Sequence, residues 1–307
     1  MITRAHVEAA ATRIRPFIRR TPVLHARIRG IQVALKLEHL QLTGSFKVRG
    51  ATNALRSLDP APDAVVAASG GNHGLGVATA AESLGIAATV VVPETVPAEK
   101  ARRIAAAGAT VVRSGSHYAQ AEAHARELAE TLGAPFLHPF ADPAVIAGQG
   151  TVGIEIAEDL LAGPDAAVCD AVVVAIGGGG LIAGIATALE GAGPRIIGVE
   201  PLGAPTMSAA LTAGQPVDVE VDSVTASALG AGRTDALNLA IVQRAVEQVV
   251  LVDDQAVLAA RDLLWEECRL AVEPGGALGL VPLLSGAIQA ERPCVVLCGA
   301  NSAWLPS

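Results

Sequence analysis

Apolar positions along this chain recur with two alternating periods. Residues 3–19 put Val7, Ala10, Ala11, Ile14 and Ile18 on one face at helical spacing, and Thr21-Pro22 ends the run. Residues 33–38 alternate apolar and polar side chains, which predicts a strand, and 48–58 reads as a helix. Short apolar runs follow at 65–68, 89–92 and 110–112, separated by alanine-rich helical stretches at 75–84 and 98–107. Gly85-Ile86 and Gly108-Ala109 read as helix stops followed by strand entry. A helix over 119–132 comes next, and Pro135 and Pro139 bracket a crossing segment. The second block predicts helices at 152–161 and 181–189 and strands at 171–176 and 196–200. Later strands fall at 249–252 and 294–297, with helices at 235–247, 254–270 and 277–289. Strands alternating with helices through short connections predict parallel sheets covered on both faces. The expected class is α/β, with two parallel-sheet, three-layer domains.

Composition narrows the function classes. A length of 307 residues suits one large or two ordinary domains, and at 51% hydrophobic the chain can bury a sizeable core. Aromatics are scarce, so small apolar side chains must carry close helix-on-sheet packing. The net charge is -8, with no basic cluster beyond Arg102-Arg103 and the arginines near the N-terminus. That argues against a nucleic-acid partner, which needs a basic face. Residues 171–189 carry no charge, yet Gly177, Gly178, Gly179 and Gly180 interrupt them. Each glycine costs about 1 kcal/mol against alanine in a helix. A strand, a loop and a helix explain the stretch better than a membrane span. Cys169, Cys268, Cys294 and Cys298 form no CxxC pair, and no HExxH occurs, so no metal site is expected. The first twenty residues hold no apolar signal core, and a cytoplasmic chain with reduced thiols is expected.

Candidate chemistry centres on Gly44-Ser45-Phe46-Lys47-Val48-Arg49-Gly50-Ala51. Lys47 sits between a glycine-serine turn and a helix start, with Thr43 and Ser45 as candidate caps. A lysine in apolar surroundings loses solvation of its charged form and becomes a nucleophile or Schiff-base former. For the lysine alone, a surface position at a helix start is the simpler reading. Three loops after predicted strands change the weighting, because ligands collect at the carboxyl ends of strands in open α/β sheets. Ser69-Gly70-Gly71-Asn72-His73-Gly74 could be a tight turn or a set of donors for a carboxylate. The tetraglycine loop before Leu181 suits a phosphate monoester at a helix N-terminus, since neither a Walker lysine nor GxGxxG spacing is present. Cys298-Gly299-Ala300-Asn301 offers a thiol that is either an inert core group or a weak partner for a ring nitrogen.

Together and in this order, these motifs resemble the pyridoxal-phosphate enzymes of the tryptophan synthase β fold (fold type II). Within them the chain is similar to the threonine/serine dehydratase and serine racemase group, from about Val7 to Asn301. The resemblance implies that Lys47 forms the Schiff base with pyridoxal 5′-phosphate and that Phe46 packs on the cofactor ring. It implies that Asn72 meets the ring hydroxyl and that Gly177 to Gly180 with Leu181 hold the phosphate. Cys298 would face the ring nitrogen, and Glu273 would lie at the cofactor edge. Ser69, Gly70, Gly71, Asn72 and His73 would bind the substrate carboxylate. Glu273 heads Glu273-Pro274-Gly275-Gly276-Ala277, where the family usually carries EPSGA or EPAGA.

The implied reaction is β-elimination from an L-β-hydroxy amino acid such as threonine or serine, giving a 2-oxo acid and ammonia. Racemisation of the same amino acids is the nearest rival, and a β-replacement synthase a weaker one. A nucleotide-binding or regulatory α/β protein without chemistry is the alternative from another class. The family division predicts a large cofactor domain of 1–57 and 139–307 with an inserted mobile domain of 58–138, and a homodimer. The chain stops shortly after Asn301, so an isoleucine-sensing regulatory domain is not expected. Racemase-like relatives bind a divalent cation through a glutamate and an aspartate six residues on. Here the pair is Glu200 and Thr206, which predicts no such site. Serine racemases also carry a serine where this chain has Gly70.

Overall fold

The structure is a computed structural model that describes residues 2–162, 169–302 and 304. Helix α1 (Arg4–Ile14) leads into a hairpin of β1 (Val23–Ile28) and β2 (Ile31–Lys36). Helix α2 (Lys47–Arg56) precedes the series β3 (Ala64–Ala68), α3 (Asn72–Leu84), β4 (Ala87–Val92), α4 (Ala98–Ala106), β5 (Thr110–Arg113) and α5 (Tyr118–Leu132). The second half runs α6 (Pro143–Leu160), β6 (Ala171–Ala175), α7 (Gly180–Ala188), β7 (Arg195–Pro201) and α8 (Thr206–Ala213). It continues through α9 (Ala226–Leu229), α10 (Ala236–Ala245), β8 (Gln248–Val252) and α11 (Asp254–Cys268). Two short helices, α12 (Pro274–Ala277) and α13 (Val281–Leu284), come before β9 (Pro293–Val296).

The strands form two sheets, one in the order β1-β2-β9-β6-β7-β8 and one in the order β3-β4-β5. The expected α/β class with parallel sheets holds, with one exception at an edge. Strand β1 pairs antiparallel with β2 across Arg29-Gly30, both at positive φ, as a tight hairpin turn requires. This strand was not anticipated: Ile28 is its one buried residue, so the sequence shows no clean alternation. By contrast β6 and β9 are buried at every position and read as unbroken apolar runs, as strands covered on both faces do.

The small sheet shows how period-two alternation sorts the layers. Val65, Ala67, Val90 and Val92 share a core with Val48, Ala51, Ala54 and Leu55 of α2 and Val77, Ala78 and Ala81 of α3. Val66, Ala68 and Val91 point the other way, onto Ala121, Ala125 and Ala129 of α5. Helix α2 therefore packs its apolar face with the small sheet, while its buried Arg49 faces the large one. The Arg49 guanidinium lies between Glu38 and Glu155, 2.7 Å from each. Lys36 Nζ joins the cluster 2.6 Å from Glu155, tying β2, α2 and α6 together.

Two expected helices changed. Helix α6 starts at Pro143 rather than at 152, because Asp142 accepts from Ala144 N at 2.7 Å and Val145 N at 3.3 Å. Its glycines let backbones meet. A Cβ on Gly150 would lie 2.7 Å from Gly184 O of α7, and one on Gly148 would lie 2.7 Å from Arg49 O of α2. The helix expected at 277–289 is broken into α12, a 3-10 turn and α13, with Pro282 near the start of the last piece. Helices α8 and α9 were also not anticipated. Among the described residues, no helix is long and apolar enough to cross a membrane.

Gly184 tests the close approach of α6 and α7, since its Cβ would overlap Ile146 O and meet Gly150 N at 2.5 Å. Gly184→Ala should lower stability by about 1–3 kcal/mol in urea unfolding, as overpacking does. A change inside the ±0.5 kcal/mol typical of surface sites would contradict that packing.

Candidate active site

Lys47 is placed by a short zipper between two loops. Ser45 pairs with Gly299 as an antiparallel bridge. Ala300 N donates to Gly44 O at 2.9 Å, and Phe46 N donates to Cys298 O at 3.3 Å. Gly44 has φ 72, and a Cβ there would lie 2.8 Å from Asn301 Oδ1, so glycine is required twice over. The expected caps do not form. Thr43 Oγ1 donates to Ser45 O at 3.3 Å, Ser45 Oγ is buried with no partner among the described residues, and Phe46 occupies the cap position.

The Lys47 amine donates to Pro139 O at 3.0 Å and lies 5.1 Å from the Phe46 ring centroid. Among the described residues no carboxylate forms an ion pair with it, unlike the nearby Lys36 and Arg49. Burial therefore dominates and lowers its pKa to about 8, against the weaker opposing pull of Cys298 and Glu273. Burial pushes the Cys298 thiol up, so it stays neutral, and its Sγ donates to Gly275 O at 3.3 Å. Burial also raises the Glu273 carboxyl, whose Oε1 accepts from Asn72 Nδ2 at 2.7 Å.

The loop after β3 turns so that Ser69 Oγ accepts from Gly71 N at 3.2 Å. At the start of α3, the N–H groups of Asn72 and His73 find no acceptor among the described residues. His73 was read as a residue of the carboxylate loop, with a structural role equally open. Its ring is buried, with pKa lowered to about 3 by desolvation and by the Lys47 charge, and Nε2 lies 3.0 Å from Leu137 O. A neutral ring donating from Nε2 to that carbonyl leaves two groups of His73 without a partner among the described residues, the buried Nδ1 and the backbone N–H.

The tetraglycine loop links the buried strand β6 to the buried helix α7. Among the described residues, no acceptor takes the N–H groups of Gly177, Gly178, Gly179, Gly180 or Leu181. Five adjacent free donors at a helix start form an anion cradle. The loop is held from behind. Thr234 Oγ1 donates to Gly178 O at 3.1 Å, and Asn238 Nδ2 donates to Gly178 O and Phe140 O at 2.9 Å each. A Cβ on Gly178 would overlap the Phe140 ring, and one on Gly177 would lie 3.0 Å from Leu229 Cα. Phe140, Thr234 and Asn238 had no sequence signal, since each acts through a contact distant in the chain.

Lys47, Ser69, Gly70, Gly71, Asn72, His73 and Gly178 line one cavity of about 1100 Å³, with 138–141 and 226–235 as further walls. Phe46, Glu273 and Cys298 stand behind that wall, beside Lys47 or Asn72. Glu200 lies elsewhere. Its oxygens accept from Met207 N at 2.6 Å and from Ser208 N at 2.9 Å, so it caps α8. Thr206 Oγ1 is spent on Ala231 O at 2.6 Å. Of the tetraglycine loop only Gly178 lines the cavity, while Gly177, Gly179, Gly180 and Leu181 adjoin it in the chain; a desolvated amine and this anion cradle fit the carbonyl and phosphate ends of pyridoxal 5′-phosphate.

Comparison with known proteins agrees with that fit. The sequence model of a family described as pyridoxal-phosphate dependent enzyme matches residues 14–299. The L-threonine ammonia-lyase of Thermotoga maritima is 36% identical, over 98% of this chain and 76% of its own length. The crystal structure of a T.th. threonine deaminase superposes with TM-score 0.92 at 37% identity, covering 99% of this chain and 100% of the other. A maize serine racemase structure gives TM-score 0.91 at 31% identity, covering 98% and 94%.

The lowered Lys47 pKa has a measurable consequence. A Schiff base forms from the neutral amine, and a pKa of about 8 frees it well below the usual lysine range. The rate at which apoprotein takes up pyridoxal 5′-phosphate should rise with pH and level off above about 8. A rate still climbing at pH 10 would place the amine in water. The capping role of Glu200 predicts that a chelator leaves activity unchanged. Marked loss in chelator, restored by magnesium, would contradict it.

Proposed function

Because the chain belongs to the pyridoxal-phosphate-dependent enzyme family, we propose that it eliminates water from an L-β-hydroxy amino acid such as threonine or serine, and that the released enamine takes up water to give a 2-oxo acid and ammonia. The observation that carries this reading is the desolvated Lys47 amine, with no carboxylate partner among the described residues, sharing a cavity with Gly178 of the tetraglycine loop. Pyridoxal 5′-phosphate, when bound, supplies the electron sink for charge left at the substrate α-carbon.

Each remaining role belongs to the chain. Lys47 holds the cofactor covalently and, once displaced by the substrate amine, takes the α-proton. Gly177, Gly178, Gly179, Gly180 and Leu181 hold the phosphate through backbone N–H groups. Phe46 supports the ring face, Asn72 donates to the ring hydroxyl, and Glu273 stands at the cofactor edge. Cys298, kept neutral by burial, does not protonate the ring nitrogen. That favours rapid loss of the β-hydroxyl over a long-lived carbanion. Ser69, Gly70, Gly71, Asn72 and His73 hold the substrate carboxylate, chiefly through the start of α3. Residues 58–138 act as the mobile domain that closes on 1–57 and 139–307 to exclude water. A homodimer in the cytoplasm completes the proposal.

Racemisation needs an acid on the cofactor face opposite Lys47, and Gly70 offers no hydroxyl there. Ser69 Oγ is engaged by Gly71 N, which holds it in the turn. Lys47→Ala should abolish the borohydride-sensitive visible absorption and lower turnover by several orders of magnitude. Wild-type enzyme should form 2-oxo acid from L-threonine or L-serine with negligible D-amino acid on chiral chromatography. A Cβ at Gly70 would overlap Val96, so Gly70→Ser needs Val96→Ala beside it to gain racemisation. D-product accumulating as fast as 2-oxo acid in the wild type would refute the elimination reading.

A further inference from the structure

We propose that Asn301 is a positioning residue that fixes the direction of the Asn72 side-chain amide, with Arg103 fastening the pair to α4. The inference rests on the reading above, in which Asn72 meets the cofactor. It starts from Asn301, the polar residue that ends the Cys298-Gly299-Ala300-Asn301 motif and has no role there.

The polarity follows from what each group can do. A guanidinium donates and never accepts. Arg103 Nη2 donates to Asn301 Oδ1 at 2.6 Å, so the amide nitrogen of Asn301 turns inward. That nitrogen donates to Thr43 O at 2.7 Å and to Asn72 Oδ1 at 2.8 Å. The Thr43 carbonyl accepts and never donates, so it enforces the same direction. Asn72 must then present its oxygen to Asn301 and its nitrogen to Glu273 Oε1, at 2.7 Å. Turning the Asn301 amide over would set donor against guanidinium and oxygen against carbonyl oxygen. Turning Asn72 over would set donor against donor and oxygen against carboxyl oxygen. The two amides thus share one favourable arrangement, set by a donor at one end and an oxygen at the other.

The arrangement bears on the cavity. With its oxygen held by Asn301 and one hydrogen given to Glu273, Asn72 has a single N–H left on a side chain that lines the cavity with Lys47. Its oxygen is turned toward Asn301, so the group it has free for that occupant is a donor, which favours a negatively polarised oxygen such as a pyridine-ring phenolate. The relay also crosses the molecule. Asn72 and Arg103 lie on α3 and α4 beside the small sheet, whereas Thr43, Glu273 and Asn301 lie at the zipper that places Lys47. Gly44 leaves open the space that Asn301 fills.

The test uses holoenzyme carrying Asn301→Asp, Asn301→Ala or Arg103→Ala. Asn301→Asp keeps the size and removes the donor facing Asn72 and Thr43. It should move the visible absorption maximum and its pH midpoint and raise the dissociation constant for pyridoxal 5′-phosphate about tenfold. Asn301→Ala should act in the same direction. Arg103 is exposed, and Arg103→Ala should give a smaller rise, up to about fivefold, with an unchanged fold. A packing role alone would lower the melting temperature of each variant and leave absorption maximum and pH midpoint in place. Wild-type maxima and dissociation constants within about twofold in all variants would overturn the proposal. Should the Asn301 variants fail to fold, Arg103→Ala alone decides. If wild-type protein itself lacks a borohydride-sensitive absorption, the cofactor role of Lys47 and this proposal fall together. A normal wild-type absorption that no variant moves removes Asn301 alone.

Discussion

A half-buried lysine whose desolvated amine meets no carboxylate among the described residues is the constraint on which the rest of this structure depends. Charged lysine loses solvation in such a place, and the loss is tolerated only where the surroundings hold the side chain firmly. Two residues along the same helix, Arg49 shows the opposite solution, with a guanidinium fully paired between Glu38 and Glu155. The paired cation anchors α2 to β2 and α6. The unpaired one is then presented at a fixed point of the cavity wall. One helix start thus carries both a structural charge and a reactive amine, and burial of the first makes the second possible.

The same division of labour runs through the tetraglycine loop. Its N–H groups are left without acceptors, which is costly in a buried place unless a ligand fills the need. Thr234 and Asn238 meet that cost from behind by holding the Gly178 carbonyl, and Phe140 packs against the glycines. The unsatisfied donors are therefore held in place by groups that are themselves satisfied. Pro139 and Phe140 link the two halves of the site. The Pro139 carbonyl accepts from Lys47, and the next residue abuts the anion cradle.

Glu200 shows how one carboxylate can take a local task in place of a cation. A hard divalent ion needs several oxygen ligands. Here one carboxylate is committed to the first turn of α8, and Thr206 to a backbone carbonyl. The loop that follows α8 reaches the cavity wall through Asp218, Val219 and Val221, so this cap helps set the site.

The sequence by itself determined the α/β class, because strand and helix periods alternate through short connections and both β6 and β9 are unbroken apolar runs. It also marked Lys47, the loop at Ser69 to His73 and the tetraglycine loop, since each is a local pattern with a local physical reason. It could not show β1, which has one buried residue and depends on pairing with β2. It misread the first half of α6, because glycines that weaken an isolated helix strengthen one whose backbone must touch α2 and α7. Only the tertiary structure decided that His73 turns its ring to Leu137, that Thr43 and Ser45 leave α2 uncapped, and that Asn301 reaches both Asn72 and Arg103. Those outcomes depend on which atoms meet across 64 to 229 positions of chain, or on how a turn competes with a cap. Neither is encoded in the spacing of residues along the chain.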